Sequence, residues 1–172
     1  MKGKSTSKII PRNIEIKTQS ALQTTRLSNQ IGKYLIAQKK GIVIGLKGEL
    51  GGGKTTFTQG LAKGMKIDSR ILSPTFVIMK NFQLDRKRRF YHFDVYRISG
   101  SSEMKCLGFK EIVKDVNNII VVEWANLIKD LMPKNTIWID FQVESKESRI
   151  INFIFPDQAC YKIFEPILLK YR

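Results

Sequence analysis

Hydrophobic positions along the chain follow two periods, and together they lay out the elements. Between 20 and 39, Leu27, Ile31 and Leu35 recur at four-residue spacing, one apolar stripe on a helix. Gly41 breaks that pattern, and Ile42 to Leu46 reads as a short buried strand leading directly into a glycine-rich loop. Helical spacing returns from Thr55 to Met65, with Phe57, Leu61 and Met65 on one side and Gly64 near the end. Residues 75–83 and 89–97 are rich in Phe, Val, Ile and Tyr. They flank Asp85-Arg86-Lys87-Arg88, the pattern of a β-hairpin with a basic turn. A short helix is predicted over 101–114. Ile119 to Val122 is a continuous apolar run, as in a strand covered on both faces, with Glu123 and Trp124 at its end. Residues 136–143 and 149–155 read as two further strands, paired antiparallel. The tail beyond 157, rich in Tyr, Lys and Leu, has no assignable period.

The loop between the first strand and the second helix carries specific chemistry. Residues 48–55, Gly-Glu-Leu-Gly-Gly-Gly-Lys-Thr, satisfy G-x-x-x-x-G-K-[ST] through Gly48, Gly53, Lys54 and Thr55. Glycines let the backbone curl and bring its N–H groups close to phosphate oxygens. The following helix aims its positive end at the same anion. Lys54 can reach the β- and γ-phosphates, and the Thr55 hydroxyl can ligate Mg²⁺. A chance match in a chain of this length has odds of about one in a hundred, so context matters: the loop follows a predicted strand and opens a predicted helix. The expected fold is α/β, a P-loop NTPase-like three-layer fold with a mixed central sheet and helices on both faces. One domain is expected over 16–157, after a disordered start over 1–15 and before a tail over 158–172 of unassigned structure.

A phosphate loop needs a carboxylate near its cation, at the end of a neighbouring strand. Glu123 is placed for this, although a strand-end glutamate is also an ordinary surface residue. In a strand, His92, Asp94 and Tyr96 share one face, so Asp94 is a second candidate. His92, the only histidine, fits a structural role bonded to backbone as well as a site role. Arg97 fits either a salt bridge or a contact to phosphate or partner. Ser73-Pro74-Thr75 is either a capped proline turn or a switch segment with a threonine near the γ-phosphate. The chain has no Asn-Lys-x-Asp guanine-reading motif, which favours adenine.

Composition changes this picture only at its margins. The 172 residues are 42 % hydrophobic and 26 % charged, ordinary for a globular domain. No apolar run approaches the ~20 residues that span a bilayer. No secretory signal pattern is seen, so a cytoplasmic protein without membrane contact is expected. Lys2, Lys4, Lys8 and Arg12 precede the first acidic residue, Glu15. That is open to a transit peptide as well as to a disordered start. Cys106 and Cys160 have no partners at metal-ligand spacing and read as reduced thiols. The net charge of +15 favours anionic partners, while the Lys-rich composition throughout is an equally simple source of it.

The motifs together resemble the TsaE (YjeE) family, ATPases of bacterial tRNA threonylcarbamoyladenosine synthesis. The resemblance rests on Gly48 to Thr56, Ser73-Pro-Thr-Phe76, Tyr91-His-Phe-Asp-Val-Tyr-Arg97 and Val122-Glu-Trp124. Glu103, Leu107-Gly108 and Pro133 add weaker matches, in order, over about residues 20–155. The resemblance implies binding and slow hydrolysis of ATP with Mg²⁺. It also implies association with TsaB and TsaD, with tRNA met indirectly or weakly. TsaD, not this chain, would transfer the threonylcarbamoyl group to the adenosine beside the anticodon in tRNAs reading A-starting codons. It implies Thr55, Asp94 and Glu123 at the metal, and Lys54, Asp94 and Glu123 in catalysis. Nucleotide contacts would come from Gly51, Gly52, Gly53, Lys54, Thr55, Thr56, Thr75 and Trp124, with Thr24 near the adenine and Arg149 on the nucleotide side. Ser28, where the family commonly has Gly, the charged turn Arg86 to Arg89 and the tail depart from the pattern. Two other classes compete. A small-molecule kinase would use Arg86, Arg88 and Arg89 as part of a lid. A non-catalytic RNA-binding module would use the basic surface.

Overall fold

Strand burial alternates between two cores, and this sets the layers. The computed structural model describes residues 12–38, 40–67, 77–98 and 101–172. Its strands are β1 (Arg12–Thr18), β2 (Ile42–Gly48), β3 (Met79–Gln83), β4 (Arg89–Asp94), β5 (Ile119–Glu123), β6 (Ile137–Val143) and β7 (Arg149–Phe155). The helices are α1 (Ala21–Ala37), α2 (Lys54–Gly64), α3 (Ser101–Cys106), α4 (Phe109–Lys114) and α5 (Gln158–Leu168), with a 3₁₀ segment over Ala125–Leu131. Ile44, Leu46, Ile119 and Val121 face one core, filled by Leu27, Ile31 and Leu35 of α1, Phe57 and Leu61 of α2, and Phe164 and Leu168 of α5. Val43, Ile120 and Val122 face the other, filled by Met104 of α3, Phe109 of α4 and Ile128. Both faces of the central strands are therefore covered, and the fold is the expected three-layer α/β arrangement.

The sheet has seven strands in the order β1-β7-β6-β2-β5-β4-β3. Strands β6, β2, β5 and β4 run parallel. The outer strands pair antiparallel: β3 with β4, β7 with β6, and β1 with β7. The parallel block places the C-terminal ends of β2, β5 and β4 at one edge. There Gly48 leads into the phosphate loop, and Asp94 lies directly opposite Glu123.

Several expectations are corrected. Arg12 to Glu15, placed in a disordered start, form half of β1, where Ile14 and Ile16 alternate inward against Asn13, Glu15 and Lys17. The helix predicted over 101–114 is two helices, because Gly108 takes a left-handed φ of 67° between them. The first hairpin strand begins at Met79, one residue after Ile78, which sits at φ 62°; Ser73, Pro74 and Thr75 lie outside the described residues. The tail forms α5, capped by Asp157, whose side chain accepts from the Cys160 N–H at 2.8 Å. Pro166 interrupts the helical signal of this segment, and burial of Phe164 and Leu168 outweighs its cost. No helix among the described residues is long and apolar enough to cross a membrane.

Helix α1 starts at Ser20, whose Oγ accepts from the Gln23 N–H, and packs closely along α2. A methyl group added at Gly32 would stand 2.1 Å from the Leu61 carbonyl oxygen, which is backbone and cannot rotate away. Gly32→Ala therefore sets two effects against each other. Helix propensity favours alanine by ~1 kcal/mol, whereas overpacking a tight contact costs ~1–3 kcal/mol. Net destabilisation is expected in urea denaturation; a neutral or stabilising result would mean that the helices can move apart freely.

Candidate nucleotide site at the phosphate loop

The loop owes its shape to backbone freedom at two positions. Gly51 and Gly53 adopt φ of 73° and 102°, which side chains resist. Gly53 occupies the N-cap of α2, where no side chain caps the helix, so the first amides of α2 remain available to an anion. Lys54, the first helical residue, folds back under the loop. Its ammonium donates to the carbonyls of Gly48 at 2.8 Å and Glu49 at 2.7 Å. It lies 3.8 Å from the ring centroid of Trp124, a cation–π contact. Burial pushes the Lys54 pKa below the ordinary lysine value, and Glu123, Asp94 and Glu49 pull it partly back.

Glu123 ends β5 and is only 2 % exposed. Both its carboxylate oxygens are engaged. The Thr55 hydroxyl donates to Oε2 at 2.7 Å, and His92 Nε2 lies 2.8 Å from Oε1. An ionised carboxylate only accepts, so Nε2 is the donor. Asp94, 3 % exposed, accepts from the Tyr96 N–H at 3.1 Å. Trp124 takes a left-handed φ of 61°, a conformation costing a bulky residue ~1–3 kcal/mol. This kink turns the chain out of β5 and lays the indole beside Lys54 and Tyr96, whose ring centroid is 4.8 Å away.

These groups surround a cleft of about 460 Å³ lined by Gly51 to Thr56, Asp94, Glu123 and Trp124, with Leu50, Tyr96 and Arg97 completing it. That volume falls in the range of small-molecule sites. A smaller hollow of about 90 Å³ shares Gly51, Gly53 and Thr56 with it and adds Thr24 and Arg149. The fold thus gathers the sequence-predicted residues around one loop, apart from Thr75, which lies outside the described residues. Thr24 is itself buried, its hydroxyl 2.8 Å from that of Thr18. Arg149 donates to the carbonyls of Gly51, Ser145 and Ser148, tying the β6–β7 turn to the phosphate loop.

The basic turn has a different part. It joins β3 to the start of β4, at the sheet edge opposite the phosphate loop, about 17 Å along the strand from Asp94. Arg88 donates to the carbonyls of Ile36 and Gln38, satisfying the C-terminal end of α1. Arg89 donates to Asn81 at 2.8 Å. The turn is therefore a structural clamp and not a kinase-type lid. His92, for which the sequence allows a structural bond to backbone or a role in the site, bonds a carboxylate at Nε2 instead of backbone. The signal was present in the spacing of two between His92 and Asp94, but only strand register brings Glu123 alongside.

The donor set suits a hard divalent cation. A hydroxyl and two carboxylates offer oxygen ligands, and Mg²⁺ is usually held by one or two carboxylates together with substrate phosphates. Among the described residues no group of three His, Cys, Asp or Glu side chains could hold a metal ion.

Comparison with known proteins gives a consistent result. The family profile described as threonylcarbamoyl adenosine biosynthesis protein TsaE matches residues 18–151. The tRNA threonylcarbamoyladenosine biosynthesis protein TsaE of Bacillus subtilis (strain 168) is 40 % identical over 115 residues, covering 67 % of this chain and 70 % of that protein. Its namesake in Treponema pallidum (strain Nichols) is 32 % identical over 134 residues, covering 78 % and 95 %. The crystal structure of Bacillus subtilis YdiB superposes with a TM-score of 0.71 at 26 % identity, covering 95 % of this chain and 99 % of that one.

The buried lysine gives a pH signature. Its folded-state pKa is lowered, so between that value and the ordinary one the unfolded chain binds more protons, and stability rises with pH across this window. The urea midpoint of the nucleotide-free protein is expected to gain on that of Lys54→Met as pH approaches 10.5. A constant gap would show that the fold does not strain this charge.

Proposed function

The chain belongs to the TsaE family, and from this we propose that it binds and hydrolyses ATP with Mg²⁺ in support of threonylcarbamoyladenosine formation on tRNA, acting with TsaB and TsaD. The observation that carries the nucleotide reading is the 2.7 Å bond from Thr55 to Glu123 on the wall of the phosphate-loop cleft. It joins the helix that begins at the loop to the strand end that supplies the acidic group.

Each side chain then has a task. The uncapped amides at the start of α2 and the loop N–H groups hold the β- and γ-phosphates. Lys54, pinned near them by two carbonyls, neutralises charge that develops on the phosphate oxygens, where a pre-organised group is most effective. Thr55 has committed its hydrogen to Glu123, so its lone pairs are left for a cation. Mg²⁺ held by Thr55 and Glu123 would supply charge neutralisation of the triphosphate. The Asp94 carboxylate, on the cleft wall beside Glu123, would orient the attacking water and accept its proton. Arg149 donates from its two terminal nitrogens to backbone carbonyls and steadies the loop. Leu50 is 77 % and Tyr96 48 % exposed at the cleft, apolar surface suited to a protein partner beside the nucleotide. Slow turnover alone, with stimulation by partners, would follow if those partners complete the site.

Calorimetry of the folded protein with Mg·ATP is expected to show saturable binding; no heat of association would end the nucleotide reading. In a reconstituted mixture with TsaB, TsaD and tRNA, Glu123→Ala is expected to lower sustained modification by about a hundredfold, the scale of losing one electrostatic anchor. Unchanged modification by a folded variant would overturn the coupling to tRNA modification.

A further inference from the structure

One buried side chain has no task in the scheme above. His92 lies within β4, fully buried on the face that also carries Phe90 and Asp94. An imidazole is an expensive choice for such a position unless its nitrogens are bonded. Nε2 is bonded, to Oε1 of Glu123 at 2.8 Å. Nδ1 has no hydrogen-bond partner among the described residues. An apolar side chain would fill this space without stranding a nitrogen, so the one polar contact that the ring does make calls for explanation.

From this contact we infer that His92 is a positioning residue that sets the affinity of the site for its divalent cation, by fixing the plane of the Glu123 carboxylate. The inference rests on the Mg²⁺-nucleotide reading of the same cleft. The terminal torsion of a glutamate is soft. Held by Thr55 at Oε2 alone, the carboxylate could swing about that oxygen; the bond at Oε1 fixes its plane. Fixing Glu123 also fixes the direction in which Thr55 spends its hydrogen, and hence where the threonine lone pairs point. Mg²⁺ demands near-ideal octahedral geometry, so a few degrees of carboxylate rotation are felt as affinity. His92 sits behind Glu123, and the cleft wall is formed by Glu123 and Asp94. Its influence therefore falls on the cation and not on the phosphates directly.

The test uses the full chain and two ligands. Mn²⁺ is titrated into the protein saturated with ADP and followed by electron paramagnetic resonance. ADP binding is measured separately by calorimetry in EDTA. His92→Phe keeps the ring volume and removes the donor, whereas His92→Gln places an amide N–H near the position of Nε2. His92→Phe is expected to weaken Mn²⁺ affinity about tenfold to a hundredfold, the usual cost of losing a group that orients a metal ligand. Metal-free ADP binding should stay unchanged, and His92→Gln should recover most of the Mn²⁺ affinity. Should His92→Phe fail to fold, His92→Asn, whose amide is too short to reach Oε1, replaces it with the same expectation. Equal Mn²⁺ affinity in all variants overturns the inference, as does a parallel loss of metal-free ADP binding or a failure of glutamine to rescue. If the unsubstituted protein shows no Mn²⁺ binding in the presence of ADP, the proposed function itself has failed and this inference falls with it.

Discussion

The site depends on a carboxylate held at both oxygens. Glu123 stands at the C-terminal end of the most buried strand, between a hydroxyl from α2 and an imidazole from β4. Three elements distant in sequence meet at one side chain, and each contributes something the others cannot. β5 provides a dry, rigid floor, because all five of its residues are buried. Helix α2 brings the hydroxyl and the free amides. β4 brings Asp94 into register beside Glu123. A buried carboxylate without partners would be costly; with both oxygens bonded it becomes a fixed point from which a cation site can be built.

Around this point the fold tolerates local strain and unfavourable charge. Lys54 is kept almost wholly out of water, and its ammonium is accommodated by two loop carbonyls, the face of Trp124 and the nearby carboxylates. Trp124 reaches that place only by adopting a left-handed backbone. Both features work against the stability of the nucleotide-free protein. Both also place charge and aromatic surface in the cleft before any ligand arrives, so less reorganisation is needed on binding. Farther away, the fold uses charge in an ordinary way: Arg88 closes the end of α1, which helps to hold the helix whose other end carries Thr24.

Much of this was legible in the order of residues. The run Ile119 to Val122 announced a strand buried on both faces, and the glycine-lysine-threonine loop between strand and helix announced the phosphate cradle. Glu123 could be nominated because it ends an apolar run, and Asp94 because it shares one strand face with His92 and Tyr96. What escaped reading did so for physical reasons. The β1 strand is more than half polar, and its alternation rests on Ile14 and Ile16 alone, which gain meaning only against β7. Pro166 masked α5, since helix propensity argues against a segment that tertiary burial of Phe164 and Leu168 sustains. Gly108 split a helix that periodicity alone would continue.

The sequence by itself determined the chemistry: local backbone preferences and hydrophobic period act over a few residues, enough to specify the loop, the helix behind it and the candidate acidic groups. Tertiary structure decided the pairings. That Glu123 bonds Thr55 and His92, that Asp94 lies opposite Glu123, and that the arginine-rich turn sits at the far edge of the sheet all follow from strand order and register. Those are set by which faces bury together across the whole chain, a long-range compromise no local pattern encodes.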